Sequence, residues 1–120
     1  MSGNITGGGG QVLTFTEVNG SAFFNANNNT WQDKDLSATI GTDAKFAFIL
    51  IKCVTPSGGS LNAGVRKNGS AENRYHLAQA GATDDNYDFH LMVVEPASGV
   101  IETYSTDNSK ITFYLVGYAT

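Results

Sequence analysis

Lys45-Phe46-Ala47-Phe48-Ile49-Leu50-Ile51-Lys52-Cys53-Val54 is the longest apolar run in the chain, and the segment Thr30-Trp31-Gln32-Asp33-Lys34-Asp35-Leu36-Ser37-Ala38-Thr39-Ile40-Gly41 leads into it through a turn at 42–44. The run holds no Pro or Gly and mixes β-branched with aromatic residues, which favours a strand over a helix. Side chains alternate across a strand, so one face carries Phe46, Phe48, Leu50 and Lys52 and the other Ala47, Ile49, Ile51 and Cys53. Both faces are mostly apolar. A strand in a single open antiparallel sheet shows one polar face. This strand therefore calls for cover on both sides, by its own core and by something else.

The rest of the chain reads as further short strands separated by turn signals. Residues 11–18 alternate and end at Asn19-Gly20, a hairpin-type signal; 21–24 form a short strand, and 25–29 an Asn-rich polar loop. A turn is expected at Asp33-Lys34-Asp35, followed by a short strand or single helical turn through Leu36 to Ile40. Pro56-Ser57-Gly58-Gly59-Ser60 is a loop. Residues 61–67 alternate up to Asn68-Gly69, a second hairpin signal, and 74–80 return. Tyr87 to Glu95 is a long strand stopped by Pro96, and 100–104 and 110–118 complete the set. No window keeps helical three-and-four spacing free of Gly or alternation. Eight to ten short strands with turns every 8–12 residues predict an all-β, antiparallel two-sheet sandwich of jelly-roll type.

The chain's 120 residues allow one domain with a real core. Residues 1–10, with Gly7, Gly8, Gly9 and Gly10, read as a flexible or docking glycine-rich arm, and 11–120 as the single jelly-roll domain. A net charge of -4, with Arg66-Lys67 the one adjacent pair of cations, argues against nucleic acid. The lone Cys53 excludes an intrachain disulfide and a cysteine zinc site, and is expected as a small buried hydrophobe. The N-terminus lacks the basic and apolar parts of a signal peptide, and no run reaches the length of a membrane helix, so a soluble protein made without Sec-type export is expected.

Two other strands repeat the oddity of the first. In the last strand Ile111, Phe113 and Leu115 oppose Tyr114, Val116 and Tyr118; in Tyr87 to Glu95, Phe89, Leu91 and Val93 oppose His90, Met92 and Val94. Second faces rich in aromatics and Met resemble subunit contacts, and exposed they would form a patch that soluble monomers avoid. A homo-oligomer is expected, with Phe46, Phe48, Leu91, Met92, Phe113, Tyr114 and Tyr118 at its interface.

Taken together, Trp31-Gln32-Asp33-Lys34-Asp35-Leu36-Ser37, Gly64-Val65-Arg66-Lys67-Asn68-Gly69-Ser70 and the ending Phe113-Tyr114-Leu115-Val116-Gly117-Tyr118 resemble short jelly-roll modules of bacteriophage and prophage tail, fibre and virion-decoration proteins. The similarity spans about residues 30–120. The resemblance implies a non-enzymatic virion protein, made in the host cytoplasm and assembled as a homotrimer, whose partners are itself and another virion protein such as a capsid or tail protein. Unlike modules carried on a long stalk, this one follows only a glycine arm, which points to capsid decoration or a head or tail appendage. The alternative is a receptor- or glycan-binding module acting in host attachment. Trp31, Arg66, Lys67, Asn68 and Tyr75 are its candidate contacts, because sugar sites pair an exposed aromatic with Asn, Asp or Arg.

Each motif also has a plain structural reading. Trp31 serves as a packing anchor, Asp33 and Asp35 shape a turn or cap a helical turn, and Arg66 to Gly69 form a hairpin tip. No nucleophile motif accompanies His76 and His90 and no acid partner is obvious from the sequence, and Gly7 to Gly10 lack the Lys-Ser/Thr of a phosphate loop. Asp84, Asp85 and Asp88 superficially match calcium-loop spacing, but Phe89 stands where an EF-hand needs Gly. A looser calcium site there is the alternative to a solvated acidic loop. No enzyme and no cofactor are expected.

Overall fold

A computed structural model describes residues 2–6, 12–54, 60–73, 75–78 and 87–120. Among the described residues ten strands and one helical turn follow one another as β1 (Ser2–Thr6), β2 (Val12–Glu17), β3 (Ala22–Phe23), β4 (Gln32–Asp35), α1 (Ser37–Ile40), β5 (Phe46–Val54), β6 (Leu61–Lys67), β7 (Tyr75–Ala78), β8 (Tyr87–Val94), β9 (Val100–Ser105) and β10 (Ile111–Ala119). One sheet, sheet A, runs β1-β2-β10-β5-β8, with β3 also on β10; the other, sheet B, runs β4-β9-β6-β7. Every pairing between named strands is antiparallel. From β3 onward the chain passes back and forth between the sheets, with the hairpin β6–β7 as the one consecutive pair in the same sheet. This interleaving is the double Greek key of a jelly roll.

The apolar run Phe46–Val54 becomes β5, flanked by β10 and β8 in the middle of sheet A. Its face of Ala47, Ile49, Ile51 and Cys53 is fully buried between the sheets. Ile111, Phe113 and Leu115 of β10 pair with Cys53, Ile51 and Ile49 and face the same way. Sheet B closes the core with Leu61, Ala63, Val65 and Ile101, and Leu36, just before α1, and Ile40 within it join the same cluster. The Phe23 and Phe113 rings stack at 5.5 Å and 17°, which fixes the short β3 against the core. A register shift between Leu115 and Gly117 reverses the faces of β10, so Tyr118 turns inward opposite Ala47. Gly117 then lies outward, where a Cβ would stand 2.5 Å from the Phe15 ring.

Two local expectations are corrected, and a third, the hairpin at Asn68-Gly69, is borne out by the antiparallel pairing of β6 with β7. Asn19-Gly20 makes no hairpin: β2 and β3 do not pair with each other but lie in succession along β10, opposite residues 117–119 and 113–114. Gly20 is needed there because a Cβ would come within 2.7 Å of the Leu115 carbonyl oxygen. Asp33-Lys34-Asp35 is not a turn but part of edge strand β4, where backbone pairing with β9 overrides weak strand propensity and charge suits an exposed edge. Asn68-Gly69 does turn tightly, with the Ser70 N–H on the Lys67 carbonyl at 3.0 Å and Gly69 at φ 82°. The chain then travels on to Tyr75 before β7 begins, so the loop is longer than a two-residue hairpin.

The 25–29 loop is tied down. Asn25 is buried, its amide donates to the Thr103 carbonyl at 3.2 Å, and the Thr103 hydroxyl donates back to Asn25 Oδ1. Asn108 Nδ2 donates to the Asn25 carbonyl at 2.8 Å, and Asn29 takes the left-handed φ of 59° that Asn tolerates. Each of these contacts satisfies a polar group that would otherwise be costly to leave out of water. Of the expected glycine arm, residues 2–6 pair with β2 and so belong to sheet A, whereas Gly7 to Gly10 lie outside the described residues.

Candidate functional site

Two surfaces stand out, and they lie on opposite sides of the sandwich. The first is the outer face of sheet B. Register places Tyr75 and Tyr104 on either side of Gly64. Gly64 has no side chain, so the two rings meet across it, centroids 4.9 Å apart at 71°. Trp31, just before β4, continues the row: its ring lies 5.4 Å from Tyr104 and 5.8 Å from Tyr75. The next row across the sheet is charged, with Asp33, Glu102 and Arg66 in register.

The charged row locks the aromatic one. The Arg66 guanidinium stacks 4.1 Å from the Trp31 ring centroid. Its Nε and Nη2 both donate to Glu102 Oε1, at 3.1 and 2.8 Å, and the Gly69 N–H donates to Glu102 Oε2 at 2.6 Å. Burial pushes the Glu102 carboxyl up, but the Gly69 and Arg66 contacts outweigh it and hold the group below its usual range. Asn73 Oδ1 accepts from the Trp31 indole N–H at 3.2 Å and from Arg66 Nη1 at 3.3 Å. Tyr104 donates its hydroxyl to Asn29 Oδ1 at 3.4 Å. Trp31 and Tyr104 are half-buried in this arrangement, while Tyr75 remains 44% exposed.

The expected binding contacts thus divide. Trp31, Arg66 and Tyr75 come together. Lys67 points elsewhere, its Nζ 2.8 Å from Glu95 Oε1, and this contact lowers the Glu95 carboxyl. Asn68 sits in the tight turn. Tyr104 and Glu102 were missed by reading the sequence, because nothing in their local context marks them, and only the pairing of β9 with β6 brings them beside Arg66. Asn73 comes from the loop that follows β6, a loop whose Asn-rich sequence does mark it as a candidate contact.

The second surface is the outer face of sheet A. Leu91, Leu50 and Tyr114 form one cross-strand row, Val93 and Phe48 the next, and Phe89, Lys52 and Thr112 a third. Phe89, Leu91 and Val93 on edge strand β8 are 55%, 59% and 52% exposed. Phe15 packs edge-on to Phe48 at 5.2 Å over Gly117 and extends the apolar surface. Of the residues expected at a subunit interface, Phe46, Phe48, Leu91 and Tyr114 lie on this face. Phe113, Met92 and Tyr118 do not. Phe113 is 0% exposed between the sheets, Met92 pairs with Ile49 on the inward side, and the β10 register shift turns Tyr118 onto the core.

Cys53 is buried, and its thiol is pushed up to about 11, by burial and by Asp88 beside it in register. Asp88 also lies 2.9 Å from His90 Nε2, and the other two members of the calcium candidate, Asp84 and Asp85, lie outside the described residues. Among the described residues no group of three His, Cys, Asp or Glu side chains is placed to hold a metal ion, and no helix is long and apolar enough to cross a membrane. Together the two surfaces define a jelly roll with an aliphatic-aromatic face on one sheet and an amphipathic, ion-paired face on the other. No protein-family model and no curated protein matches the chain.

Proposed function

We propose that this protein is a non-enzymatic structural component of a bacteriophage virion, a small jelly roll that assembles as a homotrimer to decorate the capsid or form a head or tail appendage. The observation that carries the reading is the outer face of sheet A. Fully burying an exposed Leu, Val or Phe contributes about 1.5–3 kcal/mol, so covering Phe89, Leu91 and Val93 alone is a substantial drive to associate. The occupant is a second copy of this chain. Four strands about 4.8 Å apart and nine residues of about 3.3 Å give a plane of roughly 570 Å², and side-chain relief raises its accessible area toward the ~800 Å² per partner of a stable interface. Among the described residues Lys52 and Glu17, of opposite sign, are the charged positions on this face, so copies packed around a three-fold axis meet little like-charge repulsion there. Cyclic closure then covers the face without leaving an open end. The virion setting comes from the motif resemblance described above.

Light scattering on the intact chain tests the assembly. A mass of three chains is expected, and Leu91→Asp is expected to reduce it to one. A monomeric wild type, or a trimer indifferent to Leu91→Asp, overturns the assignment of the face.

A further inference from the structure

The geometry points to the outer face of sheet B as a binding site for a neutral saccharide, with Tyr75 as its stacking platform. Three observations lead there. The first is the chemistry of the rings: Trp31, Tyr75 and Tyr104 each combine an apolar face with a polar tip, unlike the Phe, Leu and Val of sheet A. A pyranose has the matching character, an apolar C–H face and a rim of hydroxyls. The second is rigidity. Arg66 and Asn73 hold Trp31, Asn29 accepts from Tyr104, and Glu102 holds Arg66, so the aromatic row is set before any ligand arrives. Prior ordering removes much of the entropy a shallow site must otherwise spend on binding.

The third observation is what remains outside the packing. Arg66 already covers Trp31, so sheet B does not need Tyr75 as a lid, yet Tyr75 stands 44% exposed on the edge strand with the 72–73 segment beside it. Charge then selects the ligand class. Arg66 is neutralised by Glu102 and Lys67 by Glu95, while Asp33 is an exposed carboxylate in the row beside the rings. Among the described residues the site offers no uncompensated cation to a sialic acid, sulfate or phosphate. A neutral sugar, stacked on Tyr75 and hydrogen-bonded at the rim, meets its requirements. Because the two outer faces point in opposite directions, self-assembly through sheet A leaves this site turned outward.

Saturation-transfer NMR on the intact protein tests the site, with maltose, cellobiose, lactose and chitobiose as neutral probes and 3′-sialyllactose as the acidic one. At least one neutral disaccharide is expected to receive saturation at its ring C–H protons and to shift the Trp31 fluorescence. Tyr75→Ala is expected to weaken that binding about tenfold or more, while Tyr75→Phe retains it. If Tyr75→Ala lowers the melting temperature, Tyr75→Leu, which keeps apolar bulk without a ring, gives the same reading. Leu91→Asp, on the opposite sheet, is expected to keep the per-site affinity, which separates this site from the assembly face. Silence from all four neutral probes, binding of 3′-sialyllactose alone, or binding unchanged in both Tyr75→Ala and Tyr75→Leu overturns the proposal.

Discussion

Replacing Arg66 by Ala probes the network that holds the sheet B face together. The Arg66 and Glu102 side chains are only 15% and 10% exposed, and the guanidinium makes two of the three hydrogen bonds to the carboxylate described above. Removing one partner of a fully buried pair is destabilising by about 3–5 kcal/mol; the residual exposure here reduces that to roughly 2–3 kcal/mol. Loss of the stack on Trp31 adds about 0.5–1 kcal/mol. The variant should therefore be less stable by about 3 kcal/mol at pH 7, a fall in Tm of roughly 12 °C for a domain of this size. Urea titration followed by the emission of Trp31, the single tryptophan, measures it directly.

The pH dependence gives the same argument a second test. In the wild type the Glu102 carboxyl is held below its ordinary 4.5, so its stabilising contribution is complete above that value and is lost as pH falls through the lower folded one. Without Arg66, burial dominates, the folded value rises above the unfolded one, and the ionised carboxylate becomes a liability that protonation relieves. The stability gap between the two proteins should be widest at neutral pH and narrow toward about pH 3. A gap below about 0.5 kcal/mol at pH 7, or one that does not change with pH, refutes the account of a buried, mutually dependent pair.

Three glycines should respond in a fixed order to replacement by Ala. Gly99→Ala should be the most damaging, by more than about 3 kcal/mol, because φ is 81° and the new Cβ would meet the Gly41 carbonyl oxygen at 2.6 Å and Ser37 at 2.7 Å. Gly117→Ala, which collides with a Phe15 ring able to shift, should lose about 1–3 kcal/mol. Gly69→Ala, with φ 82° but open space around it, should lose about 1 kcal/mol. Chemical denaturation ranks them, and an inverted order contradicts the packing described. The buried Cys53 thiol, pushed up to about 11, should resist a disulfide reagent at pH 8 until the protein unfolds. Prompt native-state labelling would show that β5 opens locally. Phe89→Lys, like Leu91→Asp, should favour the monomer in light scattering while leaving the melting of the fold within about 1 kcal/mol.

The architecture was legible because the strongest local signals agreed with the final packing. The unbroken apolar run at 46–54 did become a strand buried on one face and apolar on the other, and Cys53 went inside with it. What misled were features whose meaning depends on a distant partner. Asn19-Gly20 carries the residues of a hairpin turn, yet β10 is long enough to receive β2 and β3 one after the other, and the signal marks only an interruption. Asp33-Lys34-Asp35 has the composition of a turn, but β9 supplies a ladder that charged residues can join at an edge. The two faces of β10 could not be sorted by alternation alone, because the shift between Leu115 and Gly117 swaps them partway along. The shift accounts for Tyr118, whereas Phe113 is misplaced because alternation separates two faces without saying which of them is the core. At the sheet B face the aromatic residues were conspicuous in the sequence, but the carboxylate and amide that hold them lie far away in the chain.

Under the assembly we propose, the two apolar faces of β5 carry a consequence for how the sequence can vary. An ordinary sandwich strand alternates between positions that drift freely and positions that do not, and this rhythm is visible when substitutions are tallied along it. Here Ala47, Ile49, Ile51 and Cys53 answer to the core while Phe48 and Leu50 answer to the outer face, so the two sets impose separate restrictions on one short segment. A saturation library selected for assembly should show no permissive beat across most of the strand. The same library selected only for folding should recover tolerance at Phe48, Leu50 and Lys52. Divergence of this protein would then accumulate in edge strands and loops, with its central strand the slowest part of the chain to change.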